Sequence, residues 1–409
     1  MKTGQDREST PAGRSVAPDL ARGVMLAPIA MANVMIYLHA RPYGLRQHIV
    51  ETGTLDRAVT AGLVVLVDAR SYPLFAALFG YGLISLAQRQ RNRGLDEVAV
   101  RALLRRRSWW LVSFGAAHAV LAFSGDVLGW YGVLGVVLAA RIGVSDRVLL
   151  YTAALWLVLA GVVQGVVYAN PGVRTQRSFL WSFAIEDPIE ATAWRSLEWV
   201  MTPFGLLAVL SPMLIGMWAA RRNLLETPLR HRVLLGRVAV LGVGSGILSG
   251  VGMALVTVDV WNVPFPVILV LSWLHITTGV LCGLGYAALI ALWAERLARR
   301  SSPPRPVALP RLVQALRAAG ERSLSCYLAQ TVVFATLLPA WSLGWGADLS
   351  SSGAVVLAVS TWALTVLAAA WLGHLHRQGP AEMMLRRLTY GSTSRRQHSR
   401  GGSVRASIG

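Results

Sequence analysis

The chain reads as an all-α, polytopic membrane protein with about ten transmembrane helices and both termini in the cytoplasm. Three observations carry this reading. Of its 409 residues, 54% are hydrophobic and only 14% charged, where a soluble domain carries about 25% charged residues. The charges fall between apolar stretches, many near the ~20 residues that cross a ~30 Å hydrocarbon core. The arginines concentrate in alternate loops, as they do in proteins whose cytoplasmic loops are positive.

The apolar stretches run from Ala21 to Leu38, Ala58 to Leu86, Trp109 to Phe123, Val127 to Ala140 and Val148 to Tyr168. Then follow Val200 to Ala219, Val233 to Val258, Val267 to Trp293, Leu324 to Ala340 and Ala354 to Leu375. Backbone in hydrocarbon must pair its own N–H and C=O groups, so each stretch is expected to be a helix. One set of connections holds Arg89 to Arg107, Arg141 and Arg147, Arg221 to Arg237, Arg296 to Arg317 and the tail after Arg377. The opposite set holds only Arg41, Arg46, Arg57, Arg174, Arg177 and Arg195, diluted by acids such as Glu51, Asp56, Asp187 and Glu198. The alternation holds through all ten stretches and places the membrane domain, residues 21–391, in a bacterial inner membrane. Residues 1–20 are then a cytoplasmic tail, and residues 392–409, rich in Ser, Arg and Gly, a disordered one. The first stretch also mimics a signal peptide with its Ala30-Met31-Ala32. Against that, Asp19 and Arg22 press on the apolar run and Pro28 interrupts it.

Within this frame Ser301 to Pro310 is a proline-rich linker, and Gly242 to Gly252 carries small residues that let helices approach closely. The segment Asn170 to Glu198, with Trp181, Phe183 and Trp194, is the one long outer loop and is placed to act as a lid. A net charge of +19 invites a nucleic-acid partner. The loop distribution excludes that reading in favour of membrane lipid. Cys282 and Cys326 both lie in apolar stretches and offer neither a disulfide framework nor metal-ligand spacing.

Polar residues at depth carry the functional signal, because burying them costs energy unless they pair. Asp19 and Arg22 stand at the inner start of the first helix. They read either as a cap and a snorkelling cation, or as an anion site for a nucleotide phosphate. Asn33 lies ~20 Å further along the same helix. Asp68 and Arg70 interrupt the second stretch, either as a mutual ion pair or at a break that lines a cavity. His118 precedes the tight turn Ser124-Gly125-Asp126, a spacing suited to a general base and its orienting carboxylate. His275 sits at mid-depth. Ser323, Cys326, Tyr327 and Gln330 share one helical face, either for helix pairing or as a cavity wall.

Five ordered blocks in these regions give the chain its resemblance to a family. They are Asp19-Leu20-Ala21-Arg22-Gly23 with Asn33; Leu74 to Gly82; Arg106-Arg107, Gly115, His118 and Gly125 to Leu128 with Tyr131-Gly132; Gly320 with Leu324 to Leu328 and Gln330; and Gly379-Pro380 with Glu382, Arg386 and Leu388 to Gly391. Together they resemble the YeiB-like family of bacterial membrane proteins, with departures at Glu321, Cys326, Met383 and Leu385. That family is grouped with a transmembrane acyltransferase superfamily, whose members move an acyl group from cytoplasmic acyl-CoA to an acceptor on the far side. The first-helix pattern is also similar to that of the lysosomal heparan acetyltransferase, in which an Asn and a following His serve the reaction. Asn33 matches by spacing, and His39 follows it more closely than in that enzyme.

The resemblance implies an acyltransferase that takes acyl-CoA as donor and a small molecule or cell-envelope component as acceptor. Asp19 and Arg22 would hold the donor's phosphates, and His118, or else His39, would act as base with Asp126 orienting the imidazole. Asn33, Arg70, Tyr327 and Gln330 would contact substrate. The rival expectation is a small-molecule transporter or exporter, in which the same groups bind a solute or relay protons.

Overall fold

The computed structural model describes residues 16–169, 172–205, 207–300 and 309–391. The tail expected at residues 392–409, most of the N-terminal tail and most of the linker lie outside the described residues. Fourteen α-helices follow one another: α1 Val16–Ile36, α2 Thr54–Leu66, α3 Ser71–Arg91, α4 Glu97–Leu121, α5 Leu128–Ala140, α6 Asp146–Tyr168 and α7 Pro188–Gly205. Then come α8 Leu210–Arg221, α9 Arg232–Thr257, α10 Phe265–Arg300, α11 Arg311–Glu321, α12 Ser323–Leu337, α13 Ser351–His374 and α14 Pro380–Tyr390.

Each apolar stretch falls on helix, but the ten are not equal. Among the described residues, six helical segments are long and apolar enough to cross a membrane, or seven if the bent pair Pro188–Pro203 and Leu207–Arg221 forms one crossing. The shortfall has physical causes. Helices α5 and α12 have 13 and 15 residues, only about 20 Å of rise. Helix α4 has 25 residues but carries Arg101 and Arg105 to Arg107 in its first half. The second stretch is counted among the six as the single segment Thr54–Arg91, although it is two helices broken at Val67 to Arg70, where Ala69 takes a left-handed φ of 59°.

The arginine-rich connections gather at one end of the bundle. There the start of α1 packs on α11, the Gln90 amide donates to the Tyr390 hydroxyl at 3.2 Å, and Arg221 reaches the Val144 and Ile142 carbonyls. At the other end Ser351 bonds Glu51, Arg57 reaches the Val258 carbonyl, and the Ala340 N–H donates to the Phe183 carbonyl at 3.0 Å. Loop charge thus sorts by end of the molecule, as the alternation predicts. The core divides accordingly. Leu20, Leu26, Leu74, Leu78, Met213 and Met217 fill the arginine-rich half, and an aromatic group around Tyr37, Phe123, Phe183 and Phe334 fills the other.

Two glycines decide how α1 is seated. A Cβ on Gly23 would stand 1.8 Å from the Leu316 carbonyl oxygen, and one on Gly320 would stand 1.6 Å from that of Asp19. Backbone meets backbone there, so no side chain can yield. Gly320→Ala should therefore force α1 and α11 apart and cost about 1–3 kcal/mol, the range for overpacking. Gly236→Ala, which meets nothing within 4 Å, should leave the detergent-solubilised melting temperature unchanged. Equal melting of the two variants would contradict this seating of α1.

Candidate active site

His118 occupies the last turn of α4, whose end is closed by the Ala122 and Phe123 N–H groups donating to the His118 carbonyl at 2.9 and 3.0 Å. The chain then turns tightly through Ser124-Gly125 and starts α5. Asp126 stands at that start and divides its carboxylate. Oδ2 accepts from the Gly129 N–H at 2.7 Å and caps α5, while Oδ1 lies 2.8 Å from His118 Nδ1. This one carboxylate thus bonds both the start of α5 and the His118 ring. The reach back across the turn needs α4 and α5 in contact. A Cβ on Gly115 would stand 2.1 Å from the Gly129 nitrogen, so Gly115 is required where the helices touch.

Asp126 is 0% and His118 7% exposed. A carboxylate accepts, so Nδ1 is the ring nitrogen that donates in this contact and Nε2 is the one left outside it. That nitrogen is buried without a hydrogen-bond partner. The Tyr327 ring lies 5.1 Å from the His118 ring between centroids. The Tyr327 hydroxyl is buried beside Asn33, without closing a hydrogen bond of ordinary geometry. Asn33, Tyr327, His118 and Asp126 are therefore brought together from α1, α12, α4 and the start of α5.

The other sequence candidates lie elsewhere. Gln330 turns to α13, its Nε2 donating to Thr365 Oγ1 at 3.2 Å, and Cys326 packs on the same helix. His39 lies beyond the end of α1, one layer outward of the Tyr37 residue. Its Nδ1 donates to the Tyr37 carbonyl at 3.2 Å, and its backbone N–H donates to the Gly346 carbonyl. Burial holds the His39 imidazole below the ordinary histidine range; the Tyr37 carbonyl opposes this, Arg177 adds to it and Asp348 opposes it. Asp19 and Arg22 pair at 3.0 Å at the arginine-rich end, about 15–20 Å along α1 from Asn33.

Arg70 belongs to a second buried group. It is 0% exposed and does not pair with the Asp68 carboxylate, as the sequence allowed. Its guanidinium donates to the Asp68 and Gly246 carbonyls and lies 3.2 Å from His275 Nε2. The Asp68 carboxylate turns outward to His48 Nε2 at 2.8 Å and to Arg46 at 3.5 Å. The guanidinium is held instead by one carbonyl at the break, that of Asp68, and by one of α9, that of Gly246.

Sequence reasoning placed the 170–198 segment as a lid but missed the carboxylate that ties it to the first group. Glu198 of α7 is 3% exposed and accepts from Ser124 Oγ at 2.6 Å, the Ser182 N–H at 2.8 Å and Ser182 Oγ at 2.6 Å. Phe183 then seats against Tyr37, ring centroids 4.5 Å apart, and Arg177 donates to the Met35 carbonyl at 2.6 Å. Glu198 had counted only as an acid of the outer loop; Ser124, in the turn beside Asp126, was the available hint of a partner.

Comparison with known proteins supports the resemblance read from the five blocks. Residues 219–392 match the family described as Protein of unknown function (DUF418). The chain is 24% identical over 405 residues to the Uncharacterized protein YxaH of Bacillus subtilis, covering 91% of this chain and 93% of that protein. It is 25% identical over 404 residues to the Uncharacterized protein YeiB of Escherichia coli, covering 92% and 96%. A third match, 26% identical over 150 residues, is to an Uncharacterized 39.9 kDa protein in the amylase 3′ region of Bacillus acidopullulyticus, covering 37% and 40%.

The shared carboxylate makes a measurable difference between two substitutions. Asp126→Ala leaves the Gly129 N–H and the His118 N–H without an acceptor, a loss of about 1–3 kcal/mol for each buried orphan. Asp126→Asn keeps one carbonyl oxygen for the cap. Asp126→Ala should melt clearly below Asp126→Asn, and identical melting would argue against the capping bond.

Proposed function

We propose that the chain is a YeiB-like member of the transmembrane acyltransferase superfamily, transferring an acyl group from cytoplasmic acyl-CoA to an extracytoplasmic acceptor. The observation that supports this most is the buried His118–Asp126 pair, with Nε2 lacking a hydrogen-bond partner and the Tyr327 ring beside the imidazole. Oriented by Asp126, Nε2 would accept the proton of an acceptor hydroxyl or amine as that atom attacks the thioester carbonyl. The carbonyl electrons move to oxygen, where the Asn33 amide and the Tyr327 hydroxyl would donate hydrogen bonds. Collapse of that adduct breaks the C–S bond, and the proton leaves with the thiol. Asp19 would hold Arg22 in place for the donor's phosphates. His39, held one layer further out, would meet the acceptor on entry.

In this reading the chain crosses a bacterial inner membrane ten times with both ends cytoplasmic, the short helices α5 and α12 completing their crossings with flanking turns. Single cysteines placed at Gln176 and at Asn92 or Thr227, on a background lacking Cys282 and Cys326, check the arrangement. An impermeant thiol reagent should label only the first in intact cells; labelling at Asn92 would remove the ten-crossing layout.

A transporter is the second reading, favoured by the buried Arg70–His275 contact at a helix break, a common form for a solute or proton path. One experiment separates the two. In inside-out vesicles, radiolabelled acyl-CoA should yield free CoA outside and a labelled acceptor within. His118→Ala and Asp126→Asn should lower the rate by at least ~100-fold, the scale of lost general-base catalysis, while protein still accumulates. Intact acyl-CoA together with a dissipated solute gradient would decide for transport.

A further inference from the structure

A cavity of about 720 Å³ opens at the arginine-rich end, among α11, the start of α12, the end of α13 and α14. It is separate from the His118 group. Residues Val313, Leu316 and Gly320 of α11 face inward, while Gln314, Arg317 and Glu321 line the cavity. Its size suits a ligand rather than a packing defect.

The wall carries Arg317, Arg322, Arg377 and Arg386 against Glu321 and Glu382. Neither acid offsets the far wall. Glu382 is committed to the start of α12, where its oxygens accept from the Leu324 N–H at 2.8 Å, the Ser325 N–H at 3.1 Å and the Ser325 hydroxyl. It thereby answers the positive end of that helix. Glu321 is shared between Arg317 at 3.1 Å and Arg322 at 3.6 Å. Arg322, its side chain 8% exposed, spends its other donors on the Arg377 and Ala318 carbonyls. Among the described residues, the guanidinium groups of Arg377 and Arg386 have no carboxylate or hydrogen-bond partner. The cavity is thus walled by two unneutralised planar forks, with Gln378 between them and the buried Arg322 behind.

Location narrows the ligand. Helices α11 and α14 flank the cavity, and both expose apolar side chains, Leu312, Met383 and Met384, beside their arginines. Such surfaces sit at the level of lipid headgroups. Guanidinium forks at that depth match phosphate oxygens in pairs. We propose that this cavity binds a phosphate ester. Two sources carry that group: a soluble nucleotide, and the headgroup of an anionic phospholipid on the same leaflet. The proposal stands on the cavity alone and does not require acyl transfer.

The test uses the purified full chain and two probes. Adenosine 3′,5′-bisphosphate is titrated in neutral detergent, and phosphatidylglycerol is titrated in nanodiscs against a phosphatidylcholine background. The variant is Arg377→Gln with Arg386→Gln, both exposed, and the control is Arg93→Gln with Arg230→Gln, exposed at the same end but off the cavity. At least one probe should bind saturably and lose roughly tenfold or more in affinity in the first pair, from about fivefold for each arginine, with the control unchanged. Binding of the nucleotide alone identifies the soluble source, and binding of the lipid alone identifies the headgroup. If neither probe saturates, or if both variant pairs weaken binding equally, the proposal is overturned, and CoA release in the vesicle assay is unaffected by that outcome.

Discussion

Asp126 has two oxygens and two dependants, and much of the outer half of the bundle is arranged around that division. One oxygen starts α5 by taking the Gly129 N–H; the other fixes the His118 ring in the last turn of α4. Neither would be reachable if α4 and α5 were held apart, and Gly115 and Gly129 remove the side chains that would hold them apart. A buried carboxylate is tolerable only when its hydrogen-bonding capacity is met. The turn, the glycine contact, the cap and the imidazole are therefore one arrangement, and each part is needed by the others.

Closure of the group is built from a second buried carboxylate. Glu198 bonds Ser124, two residues from Asp126, and Ser182, which belongs to the outer loop. The loop is tied to the same turn that carries the candidate orienter. The Phe183 ring packs tilted against that of Tyr37, and Arg195 lies 4.0 Å over the Trp341 ring. The side chains of the His118 group are shut off by aromatic packing from the end of the bundle opposite the arginine-rich one, in the environment where an electrostatic interaction is strongest.

The sequence made the helices readable because apolar runs bounded by arginines leave the backbone no alternative to helix. It also separated the two ends, because loop charge is a local property. It did not show that the run from Ala58 to Leu86 is broken, since Asp68 and Arg70 fit both a continuous and a bent helix, and only α9 and α10 decide between them. Within the candidate group, His118 and Asp126 were readable because they are eight residues apart across one turn. Asn33 and Tyr327 were visible as polar residues at depth, but their meeting joins α1 to α12 across some three hundred positions. Gln330 shares a helical face with Tyr327 in projection yet bonds α13, because neighbouring helices, not spacing, choose among polar groups on a broad face.

The contact between Gly23 and Leu316, and its counterpart between Gly320 and Asp19, carries a mechanical consequence. Side chains between helices can change rotamer and let the helices slide or roll; two backbones in direct contact cannot. Helices α1 and α11 must therefore travel as one beam, with Asp19 and Asn33 held at constant separation along it. Any motion that admits a substrate to the buried cluster has to come from parts that rest on this beam through side chains.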